Sequence, residues 1–527
     1  MIGTLLLKTF LVILPIIVIV VLLVKVKVAT HYSALIGLGL TVVIAYLFFS
    51  TPLSVSVRAG AQGVFLSFPI SLMVLFSLMQ INYMEAAGAL DRISVFLKTL
   101  SPGNREAQIM IMNLSAGTSL VSVGATPVSV LPPIMRSLGY ENRLCIALPA
   151  LGFDALCTFS MMAAPLITYC DLTGTGLVEA AKVFTAYLPA VSTILCFGMF
   201  YMVGGFAMMK KGFVPALLTG LSVGGTAYTI AHVEFFNSAI ILSGVIAGIV
   251  SIFVMLAYLK LRGSVIIDRS VLTEKDREIE KGMSLAKAFS PWIILIAALL
   301  IVAFVHPVDQ FLRVKMAMPV SMIPNVVTNV RLFWNAYFWV FLSTFLSMFI
   351  LRPKKGQFGK AMANWMRRAP KPVITTIVFY VIGYLLNYSG YQVMEDGSWM
   401  LQDTMQNMVS VLSDSSALAF GSLYPLIVAP LGLFGGFITS SEASTLAMFS
   451  KYNILTSEQL GLNALVVTAA TGIGGGLASV ISPAKLQNAS ATIDAVGEEN
   501  DVIKETFKIS CVLVAVVAVM CWWFCKF

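Results

Sequence analysis

The chain has little of what catalysis usually draws on. Its three histidines, His31, His232 and His306, stand far apart in 527 residues, which argues against a histidine-built metal site. Seven cysteines, Cys145, Cys157, Cys170, Cys196, Cys511, Cys521 and Cys525, fall in apolar stretches without a Cys-x-x-Cys pair. They read as small buried hydrophobes. With no Ser-His arrangement and no ligand cluster, neither a cofactor nor a metal is expected. A membrane-embedded enzyme stays open only through an acid pair such as Asp154 and Glu442. Charge is scarce too, at 11% of residues against 58% hydrophobic, a balance that no soluble core requires. The formal net charge of +9 does not point to nucleic acid, because the bases sit in short loops between apolar runs, as in the cytoplasmic loops of membrane proteins.

What is present is apolar sequence in lengths that fit a bilayer. Twelve candidate spans lie near 4–24, 32–50, 64–84, 144–170, 181–206, 213–231, 236–259, 291–306, 332–351, 374–391, 463–483 and 507–525. The first is too long, and too poor in small residues at its end, to be a cleaved leader, so it is expected to span. Lys and Arg bias sets the orientation. "LRPKKGQFGKAMANWMRRAPKP" holds Arg352, Lys354, Lys355, Lys360, Arg367, Arg368 and Lys371 and no acid. It belongs in the cytoplasm. Counting spans from there puts the charged loop 260–290 inside, with Lys210, Lys211, Arg136, Arg143, Arg92, Lys98 and Arg105, whereas Glu395, Asp396, Asp403 and Asp414 fall outside. Arg313 and Lys315 disagree, because the count leaves them outside.

Two apolar stretches, 108–135 and 416–450, are broken by Gly, Pro, Ser and Thr. The bases before and after the first, Arg105 and Arg136, fall on one side, so it must dip into the membrane and turn back. By the same count the second is approached from the outer face. Around each the order repeats: a span, an amphipathic segment ("GALDRISVFLKTL", "WMLQDTMQNMVSVL"), the hairpin, a Leu-Gly turn (Leu138-Gly139, Leu460-Gly461), and a helix broken at Ser160 to Pro165 or at Ser482-Pro483. Paired interruptions in inverted halves point to a secondary transporter's binding site. The expected architecture is an all-α polytopic membrane protein of about twelve spans plus two re-entrant hairpins in inverted-topology repeats. Residues 1–259 form the first half, 260–290 a cytoplasmic loop and 291–527 the second half.

Non-helical backbone at membrane depth is tolerated only when buried in protein or lining a wet cavity. At a hairpin tip it leaves free N–H groups and a partial positive charge, which suit a small anion. Candidate substrate contacts are Ser119, Ser122, Gly124 and Thr126 at the first tip and Gly435, Gly436, Thr439, Ser440 and Ser441 at the second. Each of these small residues also has a plain packing explanation. Ionisable groups in a span are costly: Glu442 and Asp154 are the candidates for ion coupling, a solvated acid and a structural acceptor being the alternatives. Lys485 either attracts a substrate carboxylate or reaches back to the cytoplasmic surface. A passive channel would also suit an anion, although two inverted hairpins favour alternating access.

The same residues resemble the lactate permease family, the bacterial transporters of L-lactate and glycolate. "VGATPVSVLPPIMRSLGY" is similar to that family's "GFGTP" segment and the turn after it, and "YLLNYSGY" to its "NYSG" signature. "APLGLFGGFITSSEAS" resembles its glycine-rich run, and "SPAKLQNASATIDAVGEENDVIKET" its "SPAN" region. In order, these cover most of 100–510. The resemblance implies proton-coupled uptake of a 2-hydroxy monocarboxylate by a homodimeric elevator-type symporter of the bacterial inner membrane. It also carries Thr126, Asn387 and Ser389 into the substrate site and places Glu442 where the family has Asp or Asn. Two positions depart: a family acid falls at Ser119, and the Asn of "SPAN" at Lys485. Either departure puts lactate itself in doubt and leaves open a sodium-coupled carrier of another carboxylate or a sulfonate.

Overall fold

A computed structural model describes residues 2–101, 103–353 and 356–526, so Lys354 and Lys355 lie outside the described residues. Among those described, nine helices are long and apolar enough to cross a membrane, or up to twelve if each of three bent pairs is one span. The pairs are Leu53–Leu66 with Phe68–Ala86 (51°), Asn142–Asp154 with Cys157–Thr173 (74°) and Ser290–Phe304 with His306–Lys315 (89°). The last bend comes at Val305 (φ −93°, ψ 88°), and Pro307 sits in the first turn of the next piece, where its missing N–H costs nothing; the bend lays Arg313 and Lys315 across the end of a span.

The fold is not purely helical. Met318–Ile323 pairs antiparallel with Val326–Val330 about a turn in which Asn325 has φ 62°, and Tyr391–Val393 pairs with Trp399–Leu401. The β-branched run "VVTNV" after Pro324-Asn325 is a hairpin signal that a search for long apolar runs passes over. "GALDRISVFLKTL" does form a helix, Ala89–Lys98. Its expected counterpart does not: "WMLQDTMQNMVSVL" begins as strand and a 3-10 turn, and its helix starts only at Met408, where the Asn407 side chain accepts the Ser410 N–H.

Contacts sort the loops into two ends. At one, Lys98 meets Asp276 at 2.9 Å, Lys211 meets Glu106 at 2.6 Å, Arg143 meets Glu505 at 3.2 Å, and Arg136 donates to the Ile493 carbonyl. At the other, Lys8 donates to Met405 O, Gln392 to Ser50 O and Tyr169 to Leu465 O, and Arg331 faces Asp171 at 3.6 Å. The basic loops gather at the first end.

Each broken apolar stretch is a helical hairpin. In the first, helix from Arg105 to Ser122, with a π-turn at Met110–Ala116, is followed after Val123–Thr126 by Pro127–Ser137. In the second, Tyr424–Thr439 and Glu442–Leu460 flank Ser440-Ser441, so its deep part lies later in the chain than 416–450 suggests. A broken helix follows each. Both open after a glycine of positive φ, Gly139 or Gly461, a conformation that favours glycine. From Gly139 the helix Asn142–Asp154, the 3-10 turn from Cys157 and the helix from Ser160 follow one another. From Gly461 the series Ala464–Gly476, a 3-10 turn from Ser479 and a break at Ser482 repeats them residue for residue. In each, the glycine two positions before the end of the first piece sits against a carbonyl of the preceding hairpin: Gly152 on Asn113 and Gly474 on Ala429. A Cβ at either would run into that carbonyl.

Candidate functional site

The second hairpin's tip meets both broken helices at their breaks. Ser440 turns the chain with φ 59°, and its hydroxyl shares a 2.6 Å hydrogen bond with that of Ser482. The Ser441 side chain accepts the Ser444 N–H and caps the returning helix, while Thr439 donates to Ser441 O at 2.9 Å. Glu442 therefore occupies the first turn of a helix, where a carboxylate is favoured by the free N–H groups. Its Oε1 accepts the Thr158 hydroxyl at 2.7 Å from the first broken helix. Its Oε2 is buried beside the Cys157 thiol without a well-formed hydrogen bond, and a Cβ on Gly476 would lie 2.8 Å from it. Gly476 thus makes room for the carboxyl.

Asp154, 3% exposed, ends the first piece of that helix beside Lys485, Ser479 and Val480. Neither of its oxygens has a well-formed hydrogen bond. Lys485 turns inward: its ammonium donates to Ser479 Oγ at 2.6 Å and lies 3.6 Å from the centroid of the Phe153 ring. The reading in which it reaches for the cytoplasmic surface is corrected here, because a serine at the break and an aromatic face hold the head group inside. Just past this point Met161, Met162 and Ala163 all have φ between 50° and 59°. Non-glycine residues hold that region at about 1 kcal/mol or more each, an expense typical of functional sites.

Two carboxyls and one ammonium thus converge where three interrupted helices meet. Charge of this kind at membrane depth has to be paired or serve a function, and Glu442 Oε2 and both Asp154 oxygens stand short of donors. The residues around them, Thr158, Ser479 and Ser482, are at most 2% exposed. Lys485 and the tip residues Ser440 and Ser441 keep partial exposure, so the two carboxyls are buried while the ammonium and the tip lie at the edge of the cluster.

The other expected contacts lie elsewhere. Ser119 and Ser122 donate to carbonyls of their own helix, Ser115 O and Thr118 O, and pack on Gly248 and Gly244. Gly124, with φ 85°, abuts Ser77 and Met73, and Thr126 bonds Ser129. The first hairpin nevertheless reaches the centre through Val121, which packs on Phe153 and Cys157. Gly435 and Gly436 serve close packing, the first against Thr445 and Phe449, the second against the Gly475 carbonyl. Asn387 and Ser389 stand at the far end, where Asn407 donates to Asn387 O and Ser389 O and the Ser389 hydroxyl accepts Met408 N–H. Sequence reading did not single out Thr158, Phe153 or Ser479. Aligning the two series by their Leu-Gly turns brings Ser479 opposite Cys157, but it pairs Thr158 with Val480 and Phe153 with Gly475, so these two carry no such signal.

The profile of a family described as L-lactate permease matches residues 8–526. The L-lactate permease of Salmonella typhimurium is 22% identical over 98% of this chain and 96% of its own length. The glycolate permease of Escherichia coli is 23% identical with the same coverage, and the L-lactate permease of Bacillus subtilis 21% identical over 93% and 91%. A solved structure, that of Neisseria gonorrhoeae MtrF, aligns over 86% of this chain and 80% of that one at 14% identity with a TM-score of 0.41. That likeness is too weak to specify a fold.

Proposed function

Because the chain belongs to the L-lactate permease family, whose members compared above are permeases and not enzymes, we propose that it is a secondary active symporter. Its substrate is a small organic anion, a 2-hydroxy monocarboxylate such as lactate or glycolate, and its coupling ion is the proton. The observation that carries this reading is the convergence of Asp154, Glu442 and Lys485 at three helix breaks. Fully ionised, these three groups bear one net negative charge. A monocarboxylate entering beside Lys485 adds a second, in surroundings where unpaired charge is expensive. Proton binding to Glu442, or secondarily to Asp154, relieves that cost. Anion and proton therefore favour each other, which is what coupling means.

The substrate carboxylate sits on Lys485 and on the N–H groups and hydroxyls of Thr439 to Ser441. Ser122, Gly124 and Thr126 lie on the first hairpin and join when it shifts, Ser119 staying in its contact with Gly248, while Asn387 and Ser389 hold the start of the helix Met408–Phe420. Asp154, Glu442 and Thr158 are buried while Lys485 and the hairpin tip are partly exposed, so passing substrate from one end to the other requires one set of elements to move against another. The matched hairpins and broken helices support an inverted-repeat, elevator-type mechanism. The basic end faces the cytoplasm, and assembly as a homodimer in a bacterial inner membrane follows the family expectation. The lysine at 485 favours one second reading, sodium-linked transport of another carboxylate or a sulfonate, because it supplies a fixed cation of its own.

The test is uptake of labelled L-lactate and glycolate into proteoliposomes under an imposed gradient of protons or of sodium. One pH unit should drive about tenfold accumulation for one-to-one symport. Accumulation driven by sodium alone, or no uptake of either acid, would sink the proposal.

A further inference from the structure

Arg313 defies the charge bias that the other loops obey, and the structure gives it a setting. At the end opposite the basic loops lies a cleft of about 330 Å³ whose lining includes Cys170, Asp171, Thr175, Arg313, Arg331 and Trp334. It is built from three separate pieces of chain. The last turn of the first broken helix supplies Asp171 and the loop after it Thr175, the bent-over helix end supplies Arg313, and the strand pair delivers Arg331 one residue past Val330.

Asp309 fixes two of its walls, holding the Arg313 guanidinium at 3.1 Å and accepting the Trp334 indole N–H at 2.8 Å. Arg331 is held less completely. Its contact with Asp171 is 3.6 Å, longer than a hydrogen bond, and its Nε is buried without an acceptor. A guanidinium offers five donors in a planar fork that matches a carboxylate. This one is short of acceptors.

We propose that the cleft is an anion-capture site: a small monocarboxylate binds between the Arg331 and Arg313 guanidiniums, taking the place of Asp171 on Arg331, before it moves inward to the central cluster. The inward step rests on the transport reading above; the binding step does not. The route is short, since the regular helix from Ala164 to Thr173 that ends at the cleft starts just past the kink at residues 161–163 next to Thr158 and covers roughly 15 Å at about 1.5 Å per residue. Two guanidiniums face two carboxylates here, so the cleft carries no net charge, and capture depends on the donors that Arg331 leaves unfilled. Asp171 tunes the site as a built-in competitor.

The two roles predict opposite effects. In proteoliposomes of phosphatidylcholine, Arg331→Gln and Arg313→Gln should each raise the KM for L-lactate about tenfold, the factor that 1.4 kcal/mol represents, with Vmax kept within about twofold. Asp171→Asn should lower KM. Fluorescence of the detergent-solubilised full chain, with Trp334→Phe as the reference that isolates the cleft tryptophan, should respond to L-lactate and lose half-saturation in the same order. Unchanged titrations in the arginine variants, or a shift of Asp171→Asn in the same direction as Arg331→Gln, would overturn the capture site. If instead the protein carries no lactate while Trp334 still responds with opposite shifts in the two variants, the capture site stands and the transport reading falls.

Discussion

Replacing Glu442 by Gln separates proton coupling from structure more cleanly than any other single change in the central cluster. The glutamine keeps the shape and can still accept the Thr158 hydroxyl that now reaches Oε1 at 2.7 Å. A hydrogen bond to a charged group is worth about 1.5–3 kcal/mol and one to a neutral group about 0.5–1.5 kcal/mol, so the loss in stability should be about 1 kcal/mol. The cluster changes more in charge than in geometry. With Glu442 gone, Asp154 and Lys485 balance, and a monocarboxylate brings the site to one negative charge without the proton. The pH gradient then has nothing to act on at this position. In proteoliposomes the variant should exchange internal for external lactate while failing to concentrate it, where the native protein is expected to reach about tenfold per pH unit. The thermal transition, followed in parallel, should move little. Accumulation that persists in Glu442→Gln with its native pH profile would refute the reasoning and hand the proton to Asp154 or to another group.

Lys485→Asn removes the ammonium that Ser479 and Phe153 hold in place; the KM for L-lactate should rise about tenfold or more, as expected for loss of a charge-assisted contact, and substrate competition assays read it. The Asp276 carboxylate is opposed by burial, but its bonds with Lys98 and Thr273 outweigh this and hold its pKa below the ordinary aspartate value. A depressed pKa contributes stability that is present above the unfolded value of about 3.9 and lost as pH falls through the folded value. The clamp of the 260–290 loop on Ala89–Lys98 should therefore be constant from about pH 5 to 8, and Asp276→Asn should raise amide exchange in that helix at neutral pH, a difference that fades below about pH 4. Cysteines introduced at Gly103 and Ser137, flanking the first hairpin, should label from one side of the membrane, and those at Asp403 and Glu458, flanking the second, from the other; a hairpin whose flanks label from opposite sides crosses the bilayer.

Features set by chain order and charge were readable before any coordinates. Apolar length marks the spans, and the bases that cluster at one end, from Lys98 to Glu505's partner Arg143, are those that the loop bias assigns together. The Leu-Gly turns at 139 and 461 mark the start of the matched series because left-handed glycine is a local requirement. What depends on three-dimensional approach was not readable. Thr158 lies far from Glu442 in the chain, and nothing local tells a hydroxyl that bonds its own helix, as Ser122 does with Thr118 O, from one that bonds across a break. The strand pair that carries Arg331 was missed for a different reason. A search tuned to runs of about twenty apolar residues cannot see strands of six and five.

The two departures from the family pattern, Ser119 and Lys485, do not have the same consequence. Ser119 lies against Gly248, with its hydroxyl close to where a Cβ on that glycine would stand. A carboxylate there would need both more room and a partner across that helix contact, and the hydroxyl already has Ser115 O. In this chain the position therefore serves packing between the first hairpin and the helix Ser243–Leu261. Lys485 faces Asp154 and Glu442, and its charge enters every state of the cluster. If this protein prefers an acid other than lactate, the cause lies at 485, and exchanging Ser119 for an acid should cost stability without redirecting the substrate.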